Sequence, residues 1–575
     1  MNSLTPPTIP GYQVVLALKA ACACLGSLVL LWIWWAERQG HRRHWTRDAA
    51  LAAVAVASAA GWWNFGQFHF AGGYVHYHEF FHYFLGSKYF NELGYTGLYE
   101  CVAVAELEAG RGDEVAGRWT RDLLTNELQH GSPALADPDR CLSRFASPDR
   151  WQQFKNDAWW FHDHLDPIKW REILGDHGYN ATPVWTAEGL LLAGDAPASF
   201  AHIWRLALID PLLLLITFAL IWWAFGWRVL AVAVLWWGTN YPSRYTYIGG
   251  AFLRQDWLLL STAALCFAKR GWMAASGFSL TWAALLRVFP GFMAIGLLLQ
   301  AITAMWKRKS LRVLVEYRRF AIGCCAALAL LVPSSIAIVR GPEGGVRAWH
   351  AFAQNSRKHL ATPLTNNIGL PMLLSFEPSS RGQNIGQFWL DAPWDTWKWA
   401  RMRAFDRRRW LFVTIVAVYL GLLAAAVRDR PVWLAVGLSL GAIPFLTNLA
   451  GYYYGFLLEY ATLWVVSPLN GLALAVTSAA TCAVPIVLRN DDDRSMMISL
   501  LVVVYALGVT VSMILQRRRA TRDVRGTELV TSSKDYAVAR RFVKREALVV
   551  SRKQAVTIAW QRRTRAWFER TIGAM

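Results

Sequence analysis

The stretch YVHYHEFFHYFLGSKYFNELGYTGLYE, from Tyr74 to Glu100, sets the carboxylate of Glu79 among His76, His78, His82 and a crowd of aromatic residues. A carboxylate so placed can take a proton from a hydroxyl or hold a metal. It can equally do no chemistry and favour the positive end of a helix dipole, worth about 0.5 kcal/mol. Read as a helix, the stretch puts Glu79, Tyr83, Gly86 and Phe90 on one face. Its aromatic cover predicts a helix lying in the membrane interface, with rings at headgroup depth.

Other residue types with chemical potential lie at the edges of apolar runs. Arg254 and Asp256 occur in GGAFLRQDW, where they pair with each other or serve a site, since charges at a membrane boundary are costly otherwise. Arg287 precedes the helix-breaking Pro290, and Asp210 in LIDPLLL is a second acidic candidate. Arg401, Arg403, Arg407, Arg408 and Arg409 read either as a solvated face or as guanidinium groups that hold phosphate, which arginine matches in a bidentate fork. His359, Asn366 and Asn367 in KHLATPLTNNIGL suit sugar hydroxyls, although TNN is also ordinary turn chemistry. Tyr452, Tyr453 and Tyr454 in NLAGYYYGF can stack on a sugar or belong to an aromatic belt. In FHDHLDP, His162, Asp163, His164 and Asp166 are alternating donors of the kind that bind divalent metals, with no distant ligand identifiable. Asn180-Ala181-Thr182 is a glycosylation sequon.

The elements that must position these residues are membrane helices. The chain has 575 residues, is 55% hydrophobic and contains 32 Trp. Apolar runs at about 12–35, 49–66, 204–226, 228–240, 250–268, 272–288, 290–305, 319–339, 410–427, 431–448, 453–467, 470–488 and 496–516 predict thirteen crossings, with 453–488 readable as one broken helix. The fold class expected is an all-α polytopic membrane protein. Its segments are helices in 1–66, 204–339 and 410–516, a long and mainly helical loop at 67–203, a second loop at 340–409 and a basic tail at 517–575. The opening MNSLTPPTIPGYQ lacks a basic n-region and a cleavage site, so the first run is expected to stay as a helix.

Charge orients these segments. The net charge is +20, yet 67–203 holds nineteen acids and ten Lys or Arg, while 517–575 holds sixteen Lys or Arg and five acids. Short basic loops face the cytoplasm, which puts 67–203 and the N-terminus outside and the tail inside, against anionic lipid. Arginines 401–409 break that rule on an outer loop. Six of eight cysteines lie in apolar runs as small core residues. Cys101 and Cys141 share the outer loop, where a disulfide is permitted. No GxxxxGK[ST], HExxH or GxSxG occurs, so nucleotide hydrolysis and the common hydrolase elbows have no support.

The early long outer loop, opening with His78-Glu79-Phe80, Tyr83-Phe84, Lys88-Tyr89-Phe90 and Gly94-Tyr95, resembles the GT-C superfamily of membrane glycosyltransferases. The local pattern is similar to the oligosaccharyltransferase catalytic subunit. Phe81 stands where that enzyme has an aspartate, and its WWDYG-like run and soluble C-terminal domain are absent, so a more distant member is implied. The resemblance implies inverting transfer of a sugar from a polyprenyl-phosphate donor to a glycan, lipid or protein acceptor on the outer face. Nothing marks an endoplasmic-reticulum retention signal, so a bacterial inner membrane is the expected location. It implies catalysis by Glu79, with Asp210 and Asp256 as further acidic candidates. Donor phosphate would sit on Arg254, Arg287, Arg401 and Arg403. Sugar or acceptor would touch His78, His82, Tyr83, His359, Asn366, Asn367 and Tyr453. No cofactor is identified; a divalent cation such as Mg or Mn is the form a metal-assisted Glu79 would need. Membrane lipid is the other expected partner, and nucleic acid is not. A transporter or lipid flippase is the rival, since membrane charges and broken helices suit it too, and a non-catalytic assembly factor is a third reading.

Overall fold

The computed structural model describes residues 11–40, 44–70, 73–381 and 393–530. It is 76% helical with almost no sheet. Most of the basic tail and part of the second polar loop therefore lie outside the described residues. The chain divides into units Met1–Val511 and Ser512–Met575, and every site residue belongs to the first.

Seven described helices are long and apolar enough to cross a membrane: Tyr12–Arg38, Phe200–Phe225, Phe289–Arg308, Leu311–Ile338, Arg409–Val427, Pro468–Val487 and Asp491–Arg517. The protein is thus a multi-pass integral membrane protein. The other six expected crossings differ. Trp45–Trp62 has 18 residues and begins with a charged turn, and Trp227–Thr239 has only 13. The run at 250–268 starts late, at Asp256, because residues 249–255 form a turn. Met273–Leu286 has 14 residues, 431–448 breaks into Val432–Ser439 and Ala442–Leu446, and Gly451–Val465 winds as a tight 3-10 helix. Much of their surface is covered by neighbouring helices, so an apolar run in the sequence here marks burial in protein as much as contact with lipid.

Small residues set close helix contacts. Met273–Leu286 packs along Arg318–Ile338, and a Cβ on Gly277 would lie 2.1 Å from the Phe320 carbonyl oxygen, one on Gly323 1.9 Å from that of Ala274. Backbones approach this closely in membranes where van der Waals packing drives association.

The polar stretch 67–203 is a helical domain with its own aromatic core. Residues Tyr77–Phe80 form an α-helical turn, Phe81–Leu85 a π-helical one, and Gly86–Lys88 and Phe90–Leu93 follow. This corrects the expected single interfacial helix. Phe80 to Phe90 are buried, with Phe81 against Phe161 and Trp170, Phe84 against Phe252, and Tyr89 against Phe154. Aromatic composition is the same for a headgroup belt and a protein core; here the partners are protein rings. Cys101 and Cys141 are joined by a disulfide within this domain. A two-stranded sheet pairs Trp119–Arg121 with Leu128–His130, and a second pairs Asn367–Ile368 with Leu449–Ala450 in the register Asn367↔Ala450.

Lys88 and Asp157 tie the opening stretch to the helix Pro148–His164. Both side chains are 2% exposed and lie 2.8 Å apart. The Tyr89 hydroxyl (2.7 Å) and the Ala198 amide (2.7 Å) donate to the same carboxylate. Breaking a buried pair leaves an uncompensated charge at a cost of about 3–5 kcal/mol. Asp157→Ala is therefore expected to lower the thermal unfolding midpoint of the detergent-purified protein sharply, whereas Asp163→Ala, on an exposed side chain, is expected to leave it unchanged.

Candidate functional site

The turn at 249–255 is the scaffold of the site, and three elements clamp it. From the start of the loop domain, His69 donates to the Gly249 carbonyl (2.8 Å, through Nε2), the His76 amide to the Gly250 carbonyl (2.9 Å), and Tyr245 to the Tyr74 carbonyl (2.8 Å). Gly250 has φ +62°, and a Cβ there would lie 1.9 Å from the Tyr74 carbonyl oxygen, so only glycine permits this approach. From the helix Pro183–Ala193, the Trp185 indole donates to the Leu253 carbonyl (3.0 Å). From the helix Ile209–Phe225, Asp210 accepts the backbone N–H groups of Arg254 (2.8 Å) and Gln255 (3.0 Å). Asp210 is thus engaged as a backbone anchor.

The clamps bring Glu79 to Arg254. Glu79 Oε2 lies 2.7 Å from Arg254 Nη2, with the side chains 15% and 3% exposed. The contact is an ion pair whose angle is not that of a hydrogen bond. His76 Nδ1 accepts the Glu79 amide (3.3 Å), capping the short helix that presents Glu79. The Arg254 guanidinium lies over the Tyr83 ring at 4.3 Å and over Tyr452 at 5.1 Å. Arg287, at the C-terminus of Met273–Leu286, lies over Tyr83 at 5.7 Å and Trp185 at 5.5 Å. Arg254 Nε and Nη1, Arg287 Nε and Nη2, and Asp256 Oδ2 are buried without a hydrogen-bond partner among the described residues. Asp256 Oδ1 accepts the N–H of Trp257 (2.7 Å). Two guanidinium groups therefore expose unused donors beside two carboxylates. That arrangement accommodates an anionic oxygen ligand and leaves a carboxylate free for a proton.

The second loop reaches the same region through its small sheet. Pairing of Asn367–Ile368 with Leu449–Ala450 sets Asn366 and Asn367 beside the segment that continues into Tyr452 and Tyr453, and Tyr454 donates to the Ile368 carbonyl (2.7 Å). The side-chain oxygens of Asn366, Asn367 and Asn448 are buried without a partner among the described residues. Tyr453 tilts against Phe289 and against Tyr452, whose ring meets Arg254.

Several candidates lie elsewhere. Arg401 is buried, 3.0 Å from the carboxylate of Asp492, and so closes an internal ion pair. Arg407 pairs with Glu377, Arg408 donates to the Leu374 and Phe376 carbonyls, Arg409 pairs with Asp406, and Arg403 is exposed on the helix Pro393–Arg407. The 401–409 arginines are dispersed over separate partners and do not converge with Arg254. The donors of FHDHLDP do not gather as a group of three at their helix end: His162 meets Asp163 at 3.0 Å and Arg111 at 2.6 Å, Asp166 caps the amides of Ile168 and Lys169, and His164 bonds the Trp160 carbonyl. Asn180 accepts from Tyr83 (2.6 Å) and Thr182 caps Trp185, so the sequon is occupied with packing.

His78 and His82 face away from Arg254 toward Asp176. His78 Nε2 lies 2.9 Å from Asp176, and His82 meets Tyr99. Burial pulls the His78 imidazole down, but the hydrogen bond and charge of Asp176, aided by Glu79, outweigh it and leave it raised. Partial desolvation pushes the half-exposed Asp176 up, and the hydrogen bond and charge of His78 override that to hold it well below the usual carboxylate range. His359 stands near this group, 6.1 Å ring to ring from His177, and burial followed by Lys358 lowers it to about 4. Compared with known protein families, curated proteins and solved structures, the chain matches none.

Glu188 is a site residue that inspection of motifs overlooks. It lies in the apolar helix Pro183–Ala193, accepts from the Trp282 indole (2.7 Å), and feels the charges of Asp256 and Arg287. Burial, then Asp256, raises it to about 8 from the ordinary 4.5. The signal in the sequence is a lone acid inside PVWTAEGLLLA. A carboxyl whose folded value is raised stabilises fully below its unfolded value and loses that contribution as pH climbs through the folded value. The wild-type melting midpoint is therefore expected to fall between pH 4.5 and 8. The difference between wild type and Glu188→Gln should track that window; a difference independent of pH would show that Glu188 does not hold the proton.

Proposed function

We propose that the protein is an inverting glycosyltransferase of GT-C type that moves a sugar from a polyprenyl-phosphate donor to an acceptor hydroxyl. The observation that carries the reading is the pair of buried arginines, Arg254 and Arg287, with unpartnered guanidinium donors beside Glu79 and Asp256. The acceptor oxygen attacks the anomeric carbon while the bond from that carbon to the phosphate oxygen breaks. The electron pair stays on the phosphate, where the two arginines offset the developing charge. The acceptor proton passes to Glu79 or Asp256. Asp210 positions the Arg254 turn. Tyr452, Tyr453, Asn366 and Asn367 border the cluster as sugar or acceptor contacts, the asparagine oxygens accepting from hydroxyl groups.

In this reading the shorter apolar helices complete thirteen crossings of a bacterial inner membrane, with the N-terminus outside and the tail inside. The Cys101–Cys141 disulfide supports an oxidising outer compartment for 67–203, and the acidic balance of that stretch supports the same side.

The test is sugar transfer in membranes holding wild type or Glu79→Gln, supplied with radiolabelled polyprenyl-phosphate sugars. Wild type is expected to move label into a new product, and Glu79→Gln to fold normally but lose at least about 100-fold in rate. Wild-type transfer by the variant would remove Glu79 from the mechanism. Lipid-linked label that crosses the bilayer without changing covalent partner would replace the transferase with a flippase.

A further inference from the structure

The histidines that turn away from Arg254 form a second cluster. His78, His82 and Asp176 each bring one donor atom to within 4.8 Å of the others, and they are the one such group of three among the described residues. His78 and His82 lie one helical step apart in the opening stretch, and Asp176 comes from the turn after Pro167–Leu174. His82 is buried, whereas the Asp176 side chain is 45% exposed, so the group opens to solvent on one side.

The protons in this cluster do not suffice for its contacts. Tyr99 lies 2.8 Å from the Ile173 carbonyl, His82 Nε2 lies 2.6 Å from the Tyr99 hydroxyl, and His82 Nδ1 lies 3.1 Å from the His78 carbonyl. Three contacts need three protons. A tyrosine and a neutral imidazole carry two. If Tyr99 donates to Ile173 and His82 Nε2–H to Tyr99, then His82 Nδ1 turns a bare lone pair toward the His78 carbonyl oxygen. Two lone pairs at that distance repel, and either a second proton on the imidazole or a bound cation removes the repulsion.

We propose that His78, His82 and Asp176 bind a divalent transition metal ion of the zinc class. Two imidazoles and one carboxylate are the donor set of zinc sites that keep a fourth position for water or substrate, and imidazole selects against Mg, which takes oxygen ligands. Ligand atoms around tetrahedral zinc are roughly 3.4 Å apart, so small side-chain movements close the set. The ion would fasten the helical turns that carry Glu79 to the 175–178 turn. The site is independent of the transferase reading, since its test measures metal alone.

The experiment is titration of full-length, tag-free, detergent-purified protein with zinc chloride against a chromophoric chelator, together with thermal unfolding. Wild type is expected to take one zinc per chain, with a higher melting midpoint in its presence. His78→Ala and Asp176→Asn are expected to weaken binding at least about 100-fold and to abolish the shift in midpoint. Asp176→Asn changes a half-exposed side chain and keeps the test valid if His78→Ala does not fold. His164→Ala serves as the control that retains binding. No zinc in wild type would overturn the proposal, as would equal affinity in Asp176→Asn, and either result would leave His78–Asp176 as an ion pair only.

Discussion

A guanidinium that is 3% exposed cannot remain charged inside an apolar chain without a counter-charge, and Arg254 obtains one from Glu79. The two residues belong to different parts of the fold, one at the start of the polar domain and one at the mouth of a membrane helix. Their meeting requires the 249–255 turn to be held on several sides. Asp210 satisfies its amides, Trp185 one of its carbonyls, and the 69–76 segment two more. Gly250 lets those backbones touch. The loop domain and the membrane helices are in this sense fastened together at the candidate site.

The buried ion pairs of this protein do different work. Lys88 with Asp157 is a pair of one cation and one anion, closed by neighbouring hydroxyl and amide donors, and Arg401 with Asp492 is likewise one cation against one anion, with the Trp397 indole donating to the carboxylate. Around Arg254 the arrangement is open. Arg287 adds a second cation, Asp256 and Glu188 add carboxylates, and several donors and two carboxylate oxygens have no hydrogen-bond partner among the described residues. Closed pairs specify packing, while unspent donors in a buried place hold binding energy for a ligand. Convergence of two guanidinium groups on Tyr83, and not the mere presence of arginine, separates Arg254 and Arg287 from the 401–409 group, in which Arg401 faces Asp492.

Some of this was legible in the residue order. Charged residues in apolar surroundings are costly, so Glu79, Asp210, Arg254, Asp256 and Arg287 stand out before any fold is known. Their roles do not. Asp210 and Asp256 look alike in sequence, yet one has its oxygens taken by backbone amides and the other keeps an oxygen free. Glu188 and Asp176 carry no motif, and their importance comes from distant residues, Trp282 and His78. The opening stretch was legible as aromatic and helical, but rings pack equally well on lipid headgroups and on other rings.

What the sequence determined by itself was the set of apolar runs, because a bilayer or a buried core demands them, and hence a helical membrane protein with one long acidic loop. Hydropathy cannot separate a helix facing lipid from one enclosed by neighbours, so length and breakage at 228–240, 250–268 and 431–448 were decided by tertiary packing. Pairing was decided there too. An ion pair depends on distance in space, and only the folded chain brings Glu79 to Arg254, sends Arg401 to Asp492, and gathers His78, His82 and Asp176 into one cluster.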